Sequence, residues 1–291
     1  MGFFFGKLAL REMGVGHMVL YRFLFASLGM LPVVWTARRG AAERVKRRWT
    51  RQEIGILLLS SALGVPIQFL LQFAGLARTT VSHASLMVGT MPVLLALGAT
   101  LFAGERLDWV GWVALSGSTV GAVLIVLGGH EAGMAGVAPS LAGDLLVVLS
   151  LTIALGWILM NKSLMVEHGP LAVTAYGILA GTAMLAAWVI AVDGLPPVGR
   201  VSLTAWLALA ASGVLCTAAT TLLWNWGIHH VPASRAGVFL NIEPALGSLL
   251  GVELLGDKLG PFAWVGGGLI LAAAVTLTVR GHGGDTEVLL E

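Results

Sequence analysis

Long apolar runs, separated by short polar or glycine- and proline-containing breaks, dominate this chain of 291 residues. A helix needs about 20 consecutive apolar residues to cross a lipid bilayer. Runs of this length with so few charges are typical of membrane spans. The pattern therefore predicts an all-α polytopic membrane protein with ten transmembrane helices. The predicted spans lie near residues 1–12, 16–37, 53–77, 81–103, 109–129, 141–162, 170–193, 202–228, 232–254 and 260–279.

Composition and charge exclude a water-soluble domain. Hydrophobic residues make up 57% of the chain and charged residues 11%, against about 25% charged in ordinary soluble domains. The net charge is only +2, and its excess lies in one loop, which argues against nucleic-acid binding. Such basic loops stay in the cytoplasm, so an even number of spans places both termini there. The basic residues of this loop are Arg38, Arg39, Arg44, Lys46, Arg47, Arg48 and Arg51.

The chain repeats itself, which predicts two inverted halves of five spans each. Because five is odd, the second half enters the membrane in the opposite orientation, as in many secondary transporters. We expect the first repeat at 1–138, the second at 139–280 and a cytoplasmic tail at 281–291. About 15 residues of span six precede the match to Met1, so the first span is expected to be truncated. An offset of 152 residues carries Ser82 to Ser234, Pro92 to Pro244, Gly104 to Gly256 and Trp112 to Trp264, and an offset of 155 carries Lys7 to Lys162 and Tyr21 to Tyr176.

Three short sequences resemble the drug/metabolite transporter superfamily, and among its members the bacterial EamA type. They are Tyr21-Arg22-Phe23, the run from Met91-Pro92 to Gly104-Glu105, and the run from Glu243-Pro244 to Gly256-Asp257. Within the superfamily the chain looks most like the YddG-type aromatic amino-acid exporters. The resemblance implies a bacterial inner-membrane protein whose ten helices surround a central cavity. Helices three, four, eight and nine would be among the cavity walls, and helices five and ten would pack together at the far side.

Polar side chains at mid-membrane are costly and are therefore candidates for function. Gln68 and Gln72 share a helix face, and the repeat places Thr220 and Trp224 on the equivalent face of span eight. Amides and an indole suit a zwitterionic, partly apolar ligand. Contacts between helices for the amides and an interfacial position for the Trp are the alternatives. The predicted substrate-binding residues are Gln68, Gln72, His83, Met87, Trp157, Tyr176, Trp224, Asn225, Phe239, Asn241 and Glu243.

Charged residues within the spans allow more than one interpretation. Glu243 lies near the middle of span nine, where a structural pairing, cavity lining and proton coupling all stay open. His83 is either a contact at the cavity mouth or a structural histidine. Lys7 and Lys162 are expected near opposite membrane faces as anchors whose ammonium groups reach the interface. If the two lysines instead faced the cavity, they would attract anions. Arg22 is expected to pair structurally with a carboxylate or with backbone carbonyls.

Known catalytic sequence signatures are missing from the chain, which has no HExxH, GxSxG or phosphate-binding glycine loop. We therefore expect neither an enzyme nor a cofactor or metal site. The prediction is a secondary transporter that exports small metabolites by alternating access, with aromatic or large neutral amino acids as the favoured substrates. A carrier of organic anions or phosphorylated metabolites is one alternative, and a non-transporting membrane scaffold is another. The expected partners are a small-molecule substrate and the lipid bilayer, and the oligomeric state stays open.

Overall fold

The structure is a computed structural model, and it describes residues 2–40, 49–91, 93–94, 97–98, 109–127, 140–195, 199, 201–223 and 242–280. Within these ranges the secondary structure is helical with no strand, so the all-α prediction is confirmed. Each predicted span contains at least one helical segment, and in the span 81–103 the described residues 91, 93–94 and 97–98 are helical again after a turn at 89–90. The segments are α1 Gly2–Ala9, α2 Val15–Gly40, α3 Arg51–Ala77, α4 Val81–Val88, α5 Trp109–Leu127, α6 Leu141–His168, α7 Pro170–Val192, α8 Leu203–Leu223, α9 Ile242–Leu255 and α10 Pro261–Arg280.

The lengths and surfaces of these helices suit a bilayer. Five of the described helices are long and apolar enough to cross a membrane, namely Val15–Val33 within α2 together with α3, α6, α7 and α8. Large apolar side chains such as Leu28, Trp188 and Leu215 are more than half exposed on the helix surfaces. Because helices satisfy their backbone hydrogen bonds internally, they can present such surfaces to lipid.

Helix packing follows a pattern that relates the two halves. α1 packs on α8, and the corresponding pair α6 and α3 packs in the same way. α2 packs on α7, and α4 packs on α9. α5 and α10 form an extensive pair of their own, as the resemblance implied. Gly121 and Gly266 permit this close approach, because a Cβ at either glycine would collide with the backbone carbonyl of the other.

Both α3 and α8 contain a π-helical turn at equivalent positions of the repeat. The turns span Leu63–Ile67 in α3 and Val214–Ala219 in α8. Pro66 lies inside the first turn, where it removes a backbone donor from the regular ladder. In α8 the Thr217 hydroxyl donates to the carbonyl of Ser212, five residues earlier, at 3.1 Å. The same backbone irregularity is therefore accompanied by different local features in the two helices.

The starts of α3 and α8 are also equivalent, and each has a hydroxyl N-cap. The Thr50 side chain accepts from the backbone N–H of Glu53, and the Ser202 side chain accepts from that of Ala205. At Thr50 the N-cap N–H donates to the Glu53 carboxylate, which completes a capping box. At Ser202 the carboxylate comes from Glu12 in the turn between α1 and α2, 2.7 Å from the Ser202 backbone nitrogen.

α6 is longer than the sequence predicts. The predicted span ends near residue 162, whereas the helix continues to His168 and ends at Gly169, which has a φ of 78°. Pro170 then begins α7 directly, because proline is well tolerated in the first turn of a helix. As a result Asn161 and Lys162 lie within the helix rather than at its boundary.

Candidate functional site

The middle of α3 carries two buried amides directly after its π-turn. Gln68 is 7% exposed and Gln72 is 8% exposed. Gln68 Oε1 has no hydrogen-bond partner among the described residues. A buried acceptor without a donor costs about 1–3 kcal/mol, so an unsatisfied amide oxygen at this depth is a place where a ligand donor would be accommodated. π-turns within helices are themselves frequent at functional sites.

Trp157 of α6 lies against the same part of α3. A Cβ added at Gly64 would lie only 2.5 Å from Trp157 Cδ1, so the indole fills the space that the missing side chain leaves. One turn further along α6, Asn161 Oδ1 accepts from the Ser60 hydroxyl at 3.0 Å. Gly64 and Gln68 are four residues apart and share a face of α3. The structure therefore places Trp157 beside the helix face that carries Gln68.

Arg22 of α2 is buried next to the same segment of α3. Its Nε donates to Thr217 Oγ1 in the π-turn of α8 at 2.9 Å. Its guanidinium carbon lies 5.0 Å from the ring centre of Phe69 and 5.1 Å from that of Phe73, within the range of cation–π attraction. Arg22 thus joins α2, α3 and α8 through a hydroxyl and two aromatic rings, so its pairing with a carboxylate or with backbone carbonyls stays a prediction, and it puts a positive charge beside the middle of α3.

His83 and Met87 of α4 are both fully buried, so His83 does not line an open mouth. His83 Nδ1 lies 3.5 Å from Asp144 Oδ2 in the first turn of α6. This Nδ1 atom makes no hydrogen bond to any of the described residues. The other carboxylate oxygen of Asp144 accepts from the Thr79 hydroxyl at 2.6 Å.

Lys7 of α1 is buried, which does not agree with an anchor whose ammonium is exposed at a membrane interface. Its Nζ donates to the carbonyl of Leu76 at 2.6 Å and to that of Thr79 at 2.7 Å. Leu76 lies in the last turn of α3, where the helical carbonyls lack internal donors, and Thr79 lies in the turn that follows. Lys162 is exposed on α6. The two lysines therefore do not form a shared anion site.

Lys7, Thr79, Ser82, His83, Asp144 and Asp257 together form what we call the polar cluster. The Ser82 backbone N–H donates to Asp257 Oδ2 at 2.9 Å, and the Ser82 hydroxyl donates to the carbonyl of Ser248 at 3.1 Å. Sequence reasoning missed Asp144 and treated Asp257 only as part of a family pattern. The available signal was an acidic residue in the first turn of an otherwise apolar span.

Tyr176 lies in a different cluster, near the start of α7. Its ring makes an edge contact with Trp49 at 6.3 Å, and Trp49 stacks on His168 at 3.6 Å. His168 Nε2 is 3.2 Å from Glu53 Oε2. The structure therefore places Tyr176 in an aromatic and apolar packing group, and no described contact joins it to Gln68 or Trp157.

The structure does not describe the side chains of the remaining predicted site residues. Trp224, Asn225, Phe239 and Asn241 lie outside the described residues, and Glu243 is in α9 but its side chain is not among those described. Thr220, which the repeat matches to Gln68, is exposed, and its hydroxyl donates to the carbonyl of Leu215 at 2.8 Å. The equivalent faces of α3 and α8 thus differ in burial.

The sequence profile of the EamA-like transporter family matches residues 1–127 and 141–279. The chain belongs to this family, a group of polytopic membrane proteins within the drug/metabolite transporter superfamily. It is a multi-pass membrane transporter.

Individual relatives span nearly the same length. An uncharacterized transporter of Archaeoglobus fulgidus is 25% identical over 96% of this chain and 93% of its own. A probable terminal-alkyne amino-acid exporter of Streptantibioticus cattleyicolor is 27% identical over 83% of this chain and 78% of its own. The riboflavin transporter of Rhizobium johnstonii is 29% identical over 88% of this chain and 78% of its own. A solved crystal structure with 20% identity covers 96% of both chains with a TM-score of 0.62, which supports the fold.

Proposed function

We propose that this transporter exports aromatic or large neutral amino acids across the bacterial inner membrane, with both termini in the cytoplasm. The observation that carries the proposal is the buried Oε1 of Gln68 in the middle of α3, which has no hydrogen-bond partner in the part of the chain that the structure describes. Amide oxygens accept hydrogen bonds from ammonium groups, and bonds to charged donors are stronger than neutral ones. The α-ammonium of an amino acid would satisfy this acceptor.

The surroundings of Gln68 supply the other complementary groups. An amino acid carries a carboxylate as well as an ammonium, and the buried guanidinium of Arg22 lies over Phe69 and Phe73 on the same helix. Arg22 has a further interaction besides Thr217 and the two rings, so it contributes positive potential to this region rather than a vacant binding position. Trp157 offers an apolar and aromatic surface for the side chain of such a substrate. An amide acceptor, an indole and a positive potential together favour a zwitterion with an apolar side chain.

Alternating access is supported by the two equivalent π-turns. π-turns and prolines are the places where helices bend, and α3 and α8 carry their π-turns at matching positions of the two halves. We propose that the halves are inverted repeats and that α3 and α8 bend at these turns as the cavity opens to one side or the other.

The relatives support this substrate class and suggest a second one. One relative is named as a probable amino-acid exporter and another as a riboflavin transporter. Riboflavin is the second candidate, because the Trp157 indole can stack on a flat ring system. Organic anions held by two lysines are disfavoured, because Lys7 already donates to the carbonyls of Leu76 and Thr79.

The experiment is a flux assay in liposomes that contain the purified protein, with equal pH on both sides. A panel of labelled amino acids and labelled riboflavin would be compared with protein-free vesicles. We expect saturable flux of aromatic or large neutral amino acids. Gln68→Leu removes the acceptor with little change in size, so it should raise KM about tenfold or more. Gln52→Leu, which changes an exposed glutamine at the start of the same helix, is the matched control.

Three outcomes would contradict the proposal or redirect it. Folded protein that moves no amino acid above the protein-free baseline would overturn it. Saturable flux of riboflavin alone would establish the second candidate instead. An unchanged KM in Gln68→Leu, together with an unchanged KM in the Gln52→Leu control, would remove Gln68 from the binding site.

A further inference from the structure

The polar cluster joins elements that lie far apart in the sequence and contains four ionisable side chains. Lys7, His83, Asp144 and Asp257 are 8%, 1%, 1% and 5% exposed. They belong to α1, α4, α6 and the turn between α9 and α10. Two hydrogen bonds of the cluster cross between the two halves of the chain, from Thr79 to Asp144 at 2.6 Å and from Ser82 to Asp257 at 2.9 Å. This end of the helix bundle is therefore closed by buried polar contacts.

The charges of the cluster do not balance unless a proton is added. Lys7 contributes one positive charge, and Asp144 and Asp257 contribute one negative charge each. With a neutral His83 the buried cluster carries one net negative charge, and burial of a net charge is costly. Among the described residues, the other charged groups at this end are Arg11, Arg78 and Lys258, which lie in the turns and are exposed to solvent, so they compensate the buried charge weakly.

The geometry identifies where such a proton would be held. His83 Nδ1 lies 3.5 Å from Asp144 Oδ2, and it has no hydrogen-bond partner among the described residues. Asp144 Oδ1 is already engaged by the Thr79 hydroxyl. A proton on Nδ1 would have Asp144 Oδ2 as its nearest acceptor, and a small approach of the two side chains would make a charge-assisted hydrogen bond. Histidine is the side chain whose charge changes near neutral pH.

We propose that His83 and Asp144 form a proton-binding site, and that a bound proton holds this end of the transporter closed. Opening this end must separate α4 from α6 and α9, which exposes the carboxylates to water. The imidazolium then loses its buried partner and releases its proton to the solvent on that side. The open state thus binds one proton fewer than the closed state. The proposal goes beyond the assignment of a substrate and does not depend on which substrate is carried.

Proton linkage gives a measurable expectation. Where the two states differ by one bound proton, the ratio of closed to open protein falls by up to about tenfold per pH unit as pH rises. Spin labels at Arg78→Cys, in the turn before α4, and at Leu254→Cys, on α9, both exposed positions, would report this ratio as a distance distribution. The background carries Cys216→Ser, and the full chain is measured in lipid nanodiscs without any substrate between about pH 5 and about pH 9.

The variants separate this site from other sources of pH dependence. We expect the fraction with the short distance to fall with pH in the parent protein. His83→Gln should lack this dependence, and so should Asp144→Asn, which keeps the shape of the carboxylate but removes its charge. His17→Gln is the matched control, because His17 lies in the first turn of α2 and its Nε2 lies 3.3 Å from the backbone carbonyl of Gly194. This control should retain the parent slope.

Two results would overturn the proposal. One is a parent protein whose distance distribution does not change over this pH range. The other is a His83→Gln protein, folded by its chromatographic profile, that keeps the parent slope. If His83→Gln fails to fold, Asp144→Asn decides in the same way. Because no amino acid is present, a pH slope together with an absence of amino-acid flux would overturn only the proposed substrate.

Discussion

α3 and α8 are interrupted at equivalent positions, yet the side chains around the two interruptions are different. Beside the π-turn of α3, the Trp157 indole fills the space above Gly64. Beside the π-turn of α8, the repeat counterparts are Gly2 and Cys216, and a Cβ at Gly2 would lie 3.7 Å from Cys216 Cβ. A bulky side chain, the Trp157 indole, therefore lies beside the π-turn of α3, whereas a glycine lies at the matching place beside the π-turn of α8. A backbone that repeats can therefore hold an asymmetric site, as recognition of an asymmetric ligand requires.

The same contrast holds for the matching lysines. Lys7 is buried and donates to two carbonyls at the end of α3, whereas Lys162 is exposed. Burial of a charge is tolerated where hydrogen bonds compensate for lost hydration. Position in the repeat therefore does not determine the energetic role of a charged side chain. Three variants test how far the two halves differ.

The largest expected effect is a loss of stability in Lys7→Met that Lys162→Met does not show. Loss of the Lys7 ammonium leaves the carbonyls of Leu76 and Thr79 without their donor in a buried place. We expect the free energy of unfolding to fall by about 3 kcal/mol. Lys162→Met should change it by no more than about 0.5 kcal/mol, as is usual for surface substitutions. Denaturant unfolding in detergent micelles measures both, and equal effects would contradict the contrast between the halves.

The next effect is that of Gly64→Ala compared with Gly156→Ala. A Cβ at Gly64 would lie 2.5 Å from two atoms of the Trp157 ring, whereas a Cβ at Gly156 would meet nothing within 4 Å. Overpacking of this kind costs about 1–3 kcal/mol, so Gly64→Ala should be clearly destabilising and Gly156→Ala should not.

Thermal unfolding of the two alanine variants, of Trp157→Leu and of Gly64→Ala/Trp157→Leu measures this coupling. The smaller leucine should recover part of the lost stability, as a double-mutant cycle would show. If the double variant is as unstable as the sum of the single ones, the steric explanation fails.

The smallest effect concerns pH and the two equivalent N-caps. Glu12 Oε1 accepts from the Ser202 hydroxyl at 2.6 Å, and Oε2 accepts from the Ser202 backbone nitrogen. These bonds, the hydroxyl first, lower the pKa of Glu12 in the folded protein. Because the folded pKa is lowered, the stabilisation is present above the ordinary pKa of a glutamate and is lost as pH falls through the lowered value. The pair is solvent-exposed, so the effect is small.

Glu12→Gln should therefore have a slightly lower Tm than the parent at neutral pH and should lose less Tm on acidification. A Tm series from about pH 7 to about pH 3 measures the difference. Glu253→Gln, which changes an exposed carboxylate of α9, serves as the control. Parallel curves for parent and Glu12→Gln would show that Glu12 does not stabilise the start of α8.

Much of the candidate site could be anticipated from the sequence. Gln68 and Gln72 stood out because polar side chains are rare in long apolar runs, and the structure finds both of them buried. Trp157 was selected by its place in span six, and it does lie against the face of α3 that carries Gln68. Tyr176 was selected too, but it packs against Trp49 near the other end of α3. The spacing of residues along a helix shows which of them share a face, but it does not show which other helix packs against that face.

The sequence by itself determined the helices and the repeat of this protein. A bilayer requires long apolar segments that satisfy their own backbone, so length and hydropathy are sufficient to locate spans. Only the tertiary structure decided which polar groups meet. Thr79 and Asp144 are 65 residues apart, and Ser82 and Asp257 are 175 apart. Contacts over such separations depend on how several helices pack at once, and local sequence carries no record of that packing.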